Sequence, residues 1–262
     1  MMLSVVVPVY NEYRTLGQIL VAVATALSSV SKEIIVVDDC STDGTRQWLQ
    51  ANFKADGAEF GDVCLAEDRN MVLSPANGSN EATVRFKVLY HEKNRGKGAA
   101  LRTGFGEASG DVIVIQDADL EYDPADWAQM YPLIATKQIA DVVYGSRFFG
   151  APHRALYYHH YLGNRLISII FNILYNQMLS DLEVCYKMMR REVLQSLSLT
   201  ADDFGIEIEI SAQIARARKW RIYEVGISYF GRTYAEGKKI HWKDGVKALW
   251  LLVRYRFGSH RR

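Results

Sequence analysis

The run Val112-Ile113-Val114-Ile115 stops abruptly in Gln116-Asp117-Ala118-Asp119-Leu120-Glu121, and this change from branched apolar residues to carboxylates constrains the chain more than any other stretch. Consecutive branched apolar residues bounded by polar ones read as a strand buried on both faces. In extended chain alternate side chains share a face, so Asp117 and Asp119 project the same way while Ala118 turns inward. Two carboxylates in one small space repel each other unless a proton or a cation intervenes. Hard oxygen donors with no Cys or His beside them suit Mg²⁺ or Mn²⁺. Magnesium held by one or two carboxylates completes its octahedron with water and substrate phosphate, so a diphosphate-bearing ligand is expected here. The competing reading is an acidic turn that caps a strand.

The same arrangement recurs along the chain. Leu3 to Val9 leads through Tyr10-Asn11-Glu12 into an apolar-periodic helix to about Val30, and Glu33 to Val37 ends in Asp38-Asp39. Ser41-Thr42-Asp43-Gly44-Thr45 then turns into a helix around Arg46 to Leu49. A strand from Val84 to Tyr90 precedes Asn94-Arg95-Gly96-Lys97-Gly98 and a helix from Ala99 to about Ala108. After a helix from Asp126 to about Thr136, a further strand from Ile139 ends in Gly145-Ser146-Arg147. Strands alternating with helices at this spacing predict an α/β fold: a mostly parallel sheet, helices on both faces, and ligands beyond the carboxyl ends of the strands.

The second half changes character. Leu162 to Leu179 is apolar and long, but Asn164, Arg165, Asn172, Asn176 and Gln177 interrupt it, so a buried or interfacial amphipathic helix is expected rather than a membrane span. Leu182 to Met189 reads as a strand, Ile206 to Arg218 as a helix and Ile222 to Tyr229 as a strand. Gly231 to Lys239 reads as a loop before a last helix from His241 to about Phe257. Asn52 to Thr83 is polar and too long for an ordinary connection, and it is read as a surface insertion with partial or no regular structure. Residues 1–232 would then form one domain, and 233–262 a flexible loop with a basic amphipathic helix.

Composition narrows the function classes. Lys plus Arg number 31 against 30 Asp plus Glu, a net charge of +1, so no global basic field recruits nucleic acid. The basic surplus is local: between Lys238 and Arg262 only Asp244 opposes the Lys and Arg residues, which fits an anionic surface. Three cysteines without metal-ligand spacing, and a start that runs straight into a strand, lead to the expectation of a cytoplasmic chain with reduced thiols. The third glycine of a dinucleotide fingerprint is absent, since residue 101 is Leu, and no P-loop occurs. Gly96 and Gly98 still place small residues and amide donors ahead of a helix, as either a ligand loop or a plain helix start. Asp38 and Asp39 are candidates to accept from a base N–H or a ribose hydroxyl, or to cap the next helix with Ser41 and Asp43. Arg147 offers a permanent positive fork for phosphate. Asp181 alone would be a turn residue, Glu207 or Glu209 could face the site although a solvated helix face is the preferred reading, and the adjacent His159 and His160 point apart and make no metal site.

Taken together, Val7-Pro8-Val9-Tyr10-Asn11-Glu12, Val37-Asp38-Asp39 through Thr45, Asn94-Arg95-Gly96-Lys97-Gly98, Asp117-Ala118-Asp119 and Gly145-Ser146-Arg147 resemble, in order and spacing, the family 2 glycosyltransferases of GT-A fold. Asp117 through Pro124, Ser180-Asp181-Leu182 and Tyr229-Phe230-Gly231-Arg232-Thr233 are most similar to the dolichyl- or polyprenyl-phosphate hexosyltransferase branch. The resemblance implies that Pro8, Tyr10 and Glu12 line a nucleotide pocket and that Asp39 contacts the base. It places Lys97 and Ala118 in the same pocket, Asp117 near ribose or metal, Asp119 on the metal and Glu121 as a third ligand where relatives often carry Gln. It gives Arg147 a phosphate to hold.

The expected activity is metal-dependent, inverting transfer of a hexose from a UDP- or GDP-sugar to a polyprenyl or dolichyl phosphate at a membrane surface. The acceptor phosphate needs no strong base, because its second pKa lies near ~6. Transfer to a saccharide or lipid hydroxyl, with Asp181 as general base, is the alternative. An inactive nucleotide-sugar-binding scaffold is the third reading. Peripheral attachment to the cytoplasmic membrane face is expected from the apolar helices. A membrane-protein partner and a homo-oligomer both stay open.

Overall fold

The computed structural model describes residues 1–53, 82–149, 152–155, 157–233 and 242–258, together with the backbone of two strands at 61–65 and 71–73. Its centre is the pair β1 (Leu3–Val9) and β2 (Lys32–Asp38), parallel in register Leu3 to Lys32 through Val9 to Asp38 and buried along their whole length. On β2 the alternation is legible in three dimensions. Ile34 and Val36 join the main core, while Ile35 and Val37 pack on the opposite face with Ala100 of α3 (Lys97–Glu107). Helices therefore cover both faces, which is why these strands are apolar throughout rather than alternating.

β5 (Val84–Tyr90) continues the sheet beyond β2, and β6 (Val112–Ile115) lies on the other side of β1, both parallel. The four strands thus deliver Tyr10, Asp39, His91 and Asp117 to one edge. Two earlier strands, β3 (Gly61–Leu65) and β4 (Met71–Leu73), form an antiparallel pair whose first strand joins β5. The insertion, expected to have partial or no regular structure, thus supplies two short strands that extend the sheet. The full order is β4-β3-β5-β2-β1-β6-β8-β7-β9, where β7 is Val142–Ser146, β8 is Lys187–Arg190 and β9 is Ile222–Gly226.

Beyond β6 the sheet turns antiparallel at β8 (Lys187–Arg190), which pairs with β6 and with β7 (Val142–Ser146). β9 (Ile222–Gly226) runs parallel to β7 at the edge. The first helix, α1 (Leu16–Thr25), ends well before the expected Val30. Lys32 explains the early stop, since its Nζ donates to the carbonyls of Ala26 and Leu27 at 2.5 and 3.1 Å. β8 is likewise shorter than the sequence implied, because residues 182–186 form an irregular turn that carries site residues. The remaining long helices are α2 (Thr45–Asn52), α4 (Trp127–Ala135), α5 (Tyr158–Tyr175), α7 (Gly205–Ala217) and α8 (Trp242–Phe257), with a short α6 (Arg191–Gln195) after β8. Tyr175 Oη donates to the Leu252 carbonyl, tying α5 to α8. Among the described residues no helix is long and apolar enough to cross a membrane. Most of the loop expected at 231–239 lies outside the described residues.

Candidate active site

The site is a string of ion pairs along the strand ends. At β2, Asp38 is fully buried, accepting from Arg46 Nε at 2.6 Å and from the Ser41 amide at 3.2 Å. It is a structural turn residue. Its neighbour Asp39 accepts from the amides of Arg95 and Gly96 at 2.8 and 2.7 Å and pairs with His91 Nδ1 at 2.7 Å. Asp39 thus stands where a base could meet it, but three of its acceptor positions are already used to hold the Asn94-to-Gly98 turn.

That turn is built for packing. Gly96 has φ +93°, and a Cβ at Gly96 or Gly98 would run into the backbone carbonyls of Asp202 and Ala201. The Ala99 amide donates to the Asp202 carbonyl at 3.1 Å. The Arg95, Gly96 and Ala99 amides of this turn are therefore engaged within the protein. Lys97, which opens α3, carries the turn's contribution to the site. Its Nζ lies 2.8 Å from Asp117 Oδ1 and 3.1 Å from Glu207 Oε1, and these carboxylates hold its pKa well above the ordinary value against the opposing effect of burial.

Glu207 and Glu209, expected on a solvated face, are buried. Their alternation with Ile206, Ile208 and Ile210 concealed this, because α7 is buried nearly all round at its start. Glu207 Oε2 takes Lys187 Nζ at 2.5 Å, so Asp117, Lys97, Glu207 and Lys187 form a chain of alternating charge. Glu209 accepts from Thr200 and Ala201 and fixes the segment that leads into α7.

Asp119 and Glu121 meet a cation that the sequence analysis did not single out. Arg232 Nη2 lies 2.6 Å from Asp119 Oδ2, its Nη1 3.2 Å from Glu12 Oε2, and its amide donates to Glu121 Oε1 at 2.8 Å. Tyr229 Oη donates to the other oxygen of Glu121 at 3.0 Å. Burial, with the charges of Asp117 and Glu121 added, pushes the Asp119 carboxyl up to about 7 even with Arg232 beside it. The Tyr229-to-Thr233 motif was the available signal for Arg232. Nothing in the local sequence marks it as the partner of residues more than a hundred positions earlier.

Pro8 is buried in β1, while Tyr10 is more than one-third exposed. Ala118 is buried, and its carbonyl accepts from Thr15 Oγ1 at 2.8 Å, which pins the acidic turn against the start of α1. The donor set suits a divalent ion. Asp117 and Glu121 lie close enough to Asp119 to push its carboxyl up, and a hard cation would relieve that excess negative charge. Among the described residues no three acidic, His or Cys side chains already form a ligand shell. Magnesium does not require one, because substrate phosphates and water complete its coordination.

On the other side of β6, Arg147 and Asp181 form a fork in which Asp181 is fully buried and the Arg147 side chain is 10% exposed. Arg147 Nε and Nη2 donate to the two oxygens of Asp181, each at 2.7 Å, and the Arg147 amide adds a third bond at 3.1 Å. The guanidinium lies over the Tyr229 ring, 5.3 Å from its centroid. Asp181 has no exposed surface. The carboxylate offered as a base is therefore the orienting partner of Arg147. Glu224 of β9 braces the same turn, accepting from the amides of Ser180 and Asp181.

Comparison with known proteins places these motifs in context. The family profile described as "Glycosyl transferase family 2" matches residues 4–70 and 74–198. The dolichol-phosphate mannosyltransferase of Pyrococcus furiosus is 27% identical over 245 residues, covering 91% of this chain and 59% of that protein. The undecaprenyl-phosphate mannosyltransferase of Micrococcus luteus is 27% identical over 243 residues, covering 89% of this chain and 85% of the other. This chain thus spans about three-fifths of the first relative's length. Among solved structures, glucosyl-3-phosphoglycerate synthase from Mycobacterium tuberculosis, in complex with Mn²⁺, UDP and glucosyl-3-phosphoglycerate, shares the fold with a TM-score of 0.68. That match covers 99% of this chain and 81% of the other at 18% identity.

Proposed function

The chain belongs to glycosyl transferase family 2, and we propose that it transfers a hexose from a nucleoside-diphosphate sugar to a lipid phosphate at a membrane surface. The observation that carries this reading is the Asp117, Asp119 and Glu121 cluster at the end of a buried parallel strand, held by Lys97 and Arg232. Carboxylates balanced by a lysine and an arginine suit a ligand that brings its own negative charge and a metal. Asp119 and Glu121, with Asp117 beside them, would hold Mg²⁺ or Mn²⁺. Bound there, the ion would take up charge on the departing diphosphate.

The chain's own groups supply the rest. Asp39 and Pro8 shape the nucleoside end, with Tyr10 and Glu12 at its rim. Arg232, placed among Glu12, Asp119 and Glu121, is the cation that a metal would displace, and its fork matches phosphate geometry. Arg147, oriented by Asp181, presents fixed positive charge on the acceptor side. The lipid-phosphate acceptor is supported by the names of the two relatives and by an uncovered apolar face. Leu162, Leu166, Ile169 and Ile173 recur along α5 and are exposed, and Val246, Trp250, Val253 and Phe257 recur likewise along α8. Two such stripes near basic residues suit the headgroup boundary of a bilayer.

Radiolabel transfer from UDP- and GDP-hexoses to polyprenyl phosphate, with and without Mn²⁺, tests the reading. Lipid-extractable product that requires the ion is expected. Product only on a soluble hydroxyl acceptor would move the acceptor to the alternative class, and donor binding without any transfer would leave the scaffold reading.

A further inference from the structure

Asp39 is fixed from several sides. Its amide donates to the Val9 carbonyl at the end of β1 at 2.8 Å, and its carboxylate ties the end of β5 and the turn before α3 to the end of β2. A carboxylate offers about four acceptor positions, two on each oxygen. Oδ1 takes the Arg95 amide at 2.8 Å and His91 Nδ1 at 2.7 Å, so it is full. Oδ2 takes the Gly96 amide at 2.7 Å, which leaves one position. Among the described residues no further donor reaches this carboxylate.

His91 is itself held in place. Its ring is buried, with Nε2 lying 3.0 Å from Thr103 Oγ1 on α3. Its amide donates to the Asp38 carbonyl at 2.9 Å, and its own carbonyl accepts from Arg46 Nη2 at 2.6 Å. A carboxylate only accepts, so the ring nitrogen that faces Asp39 is a protonated one. A side chain bonded at both ring nitrogens and clamped at both backbone groups does not swing aside to free Oδ1. Arg95 and Gly96 donate through backbone amides, which any residue but proline supplies. His91 is therefore the member of this set whose identity matters.

We propose that His91 selects the donor's base: by filling Oδ1 it leaves Asp39 a single acceptor, which suits the lone N–H of a uracil edge and rejects the paired N–H groups of guanine. This rests on the donor reading above, in which Asp39 shapes the nucleoside end. Uracil presents one donor, N3–H, between two carbonyl oxygens, and Oδ2 can take it alone. Guanine presents N1–H and an amino N–H side by side, spaced to bridge both oxygens of a carboxylate. With Oδ1 full, one of those donors enters without a partner. The Asp39 side chain is only 4% exposed, so water does not stand in for the missing bond. An unmatched polar group in such a place costs roughly ten- to a hundredfold in affinity.

The experiment is calorimetric titration of the full chain with UDP and with GDP in the presence of Mn²⁺. The two nucleotides share ribose and diphosphate, so the ratio of their Kd values isolates the base. The wild type should bind UDP more tightly by roughly ten- to a hundredfold. His91→Leu removes the Nδ1 donor and opens a position on Oδ1, and the ratio should shrink on the order of tenfold through tighter GDP binding. His91→Asn returns an amide N–H near the Nδ1 position and should restore the wild-type ratio. A purely structural role for His91 would weaken both nucleotides alike and leave the ratio where it was. Thr103→Val, which frees the far side of the ring, should move the ratio in the same direction as His91→Leu and carries the test if that variant does not fold. Equal or tighter binding of GDP by the wild type overturns the selection of uracil. A UDP preference whose ratio is unchanged in the folded variants overturns the role of His91. Binding of neither nucleotide by the wild type overturns the donor reading itself, and the selection falls with it.

Discussion

At the ends of β1, β2 and β6 the carboxylates of the candidate site, Glu12, Asp39, Asp117 and Asp119, each stand within four residues of a strand's last position. Beyond β6 the site is assembled differently. Arg147 follows β7, Asp181 sits in a turn before β8, and Glu224 lies inside β9, so the acceptor side depends on three separated elements meeting. The proposed donor side is thus a property of parallel strands that end together. The acceptor side is a property of one buried charge network. A substitution on the first should change chemistry while sparing the fold, and one on the second should damage both.

The largest effect tests the donor side. Asp119→Asn removes the charge best placed for a divalent ion while keeping shape and one acceptor. Loss of a metal contact worth several kcal/mol in the transition state corresponds to roughly a 10³-fold fall in kcat/KM. Thermal melting without metal should change little, or rise at pH 8, because the buried carboxylate that burial and its neighbours hold near pH 7 is gone. Wild-type rates in this variant would sink the assignment of Asp119 to the metal.

Asp181→Asn tests the other side and should act on stability first. Arg147 is mostly buried and keeps its charge, so removing its partner leaves an uncompensated cation at a cost of about 3–5 kcal/mol. For a domain of this size that is a fall in Tm on the order of 10 °C. Activity should fall as well, because Arg147 loses the fork that aims it. A variant that melts like the wild type would erase the contrast between the two sides.

The same difference decides what could be read from the sequence. Val112 to Ile115 followed by Asp117 and Asp119 is a local signal, since strand burial and side-chain alternation both act over a few residues. So are the β1 and β2 ends, and the mostly parallel sheet followed from them. Arg232 could not be paired with Asp119 or Glu12 from spacing, because the contact spans 113 residues to one and 220 to the other. Glu207 was placed on the wrong face because a charged residue in an alternating run normally marks solvent. Here Lys97 and Lys187 draw it inward. Gly96 and Gly98 were legible as a tight turn, but only the approach of residues 201–202 shows what the turn is tight against. The strands β3 and β4 are short apolar runs, Val63 to Leu65 and Met71 to Leu73, inside a long polar segment, and so the sequence pointed to no more than partial structure there.

The smallest effect concerns the outside of the acceptor half. Ile173 lies on the solvent side of α5, 76% exposed, one step along the stripe from Ile169. A side chain so exposed contributes little to the core, so Ile173→Ser should shift stability by no more than about 0.5 kcal/mol. If α5 lies on a bilayer, the same change removes apolar surface that the lipid would bury. Burying an isoleucine is worth about 1.5–3 kcal/mol at most, so sedimentation with anionic vesicles should weaken several-fold, by no more than about a hundredfold. Transfer to a short, water-soluble acceptor should be unaffected, because Arg147 and the carboxylate cluster are untouched. The pattern sought is intact fold, intact chemistry and weakened vesicle binding. Unchanged vesicle binding, both in this variant and in Trp250→Ser on the neighbouring stripe of α8, would mean that the apolar face meets something other than lipid, and the acceptor half would then be distinguished from the donor half by its charge network alone.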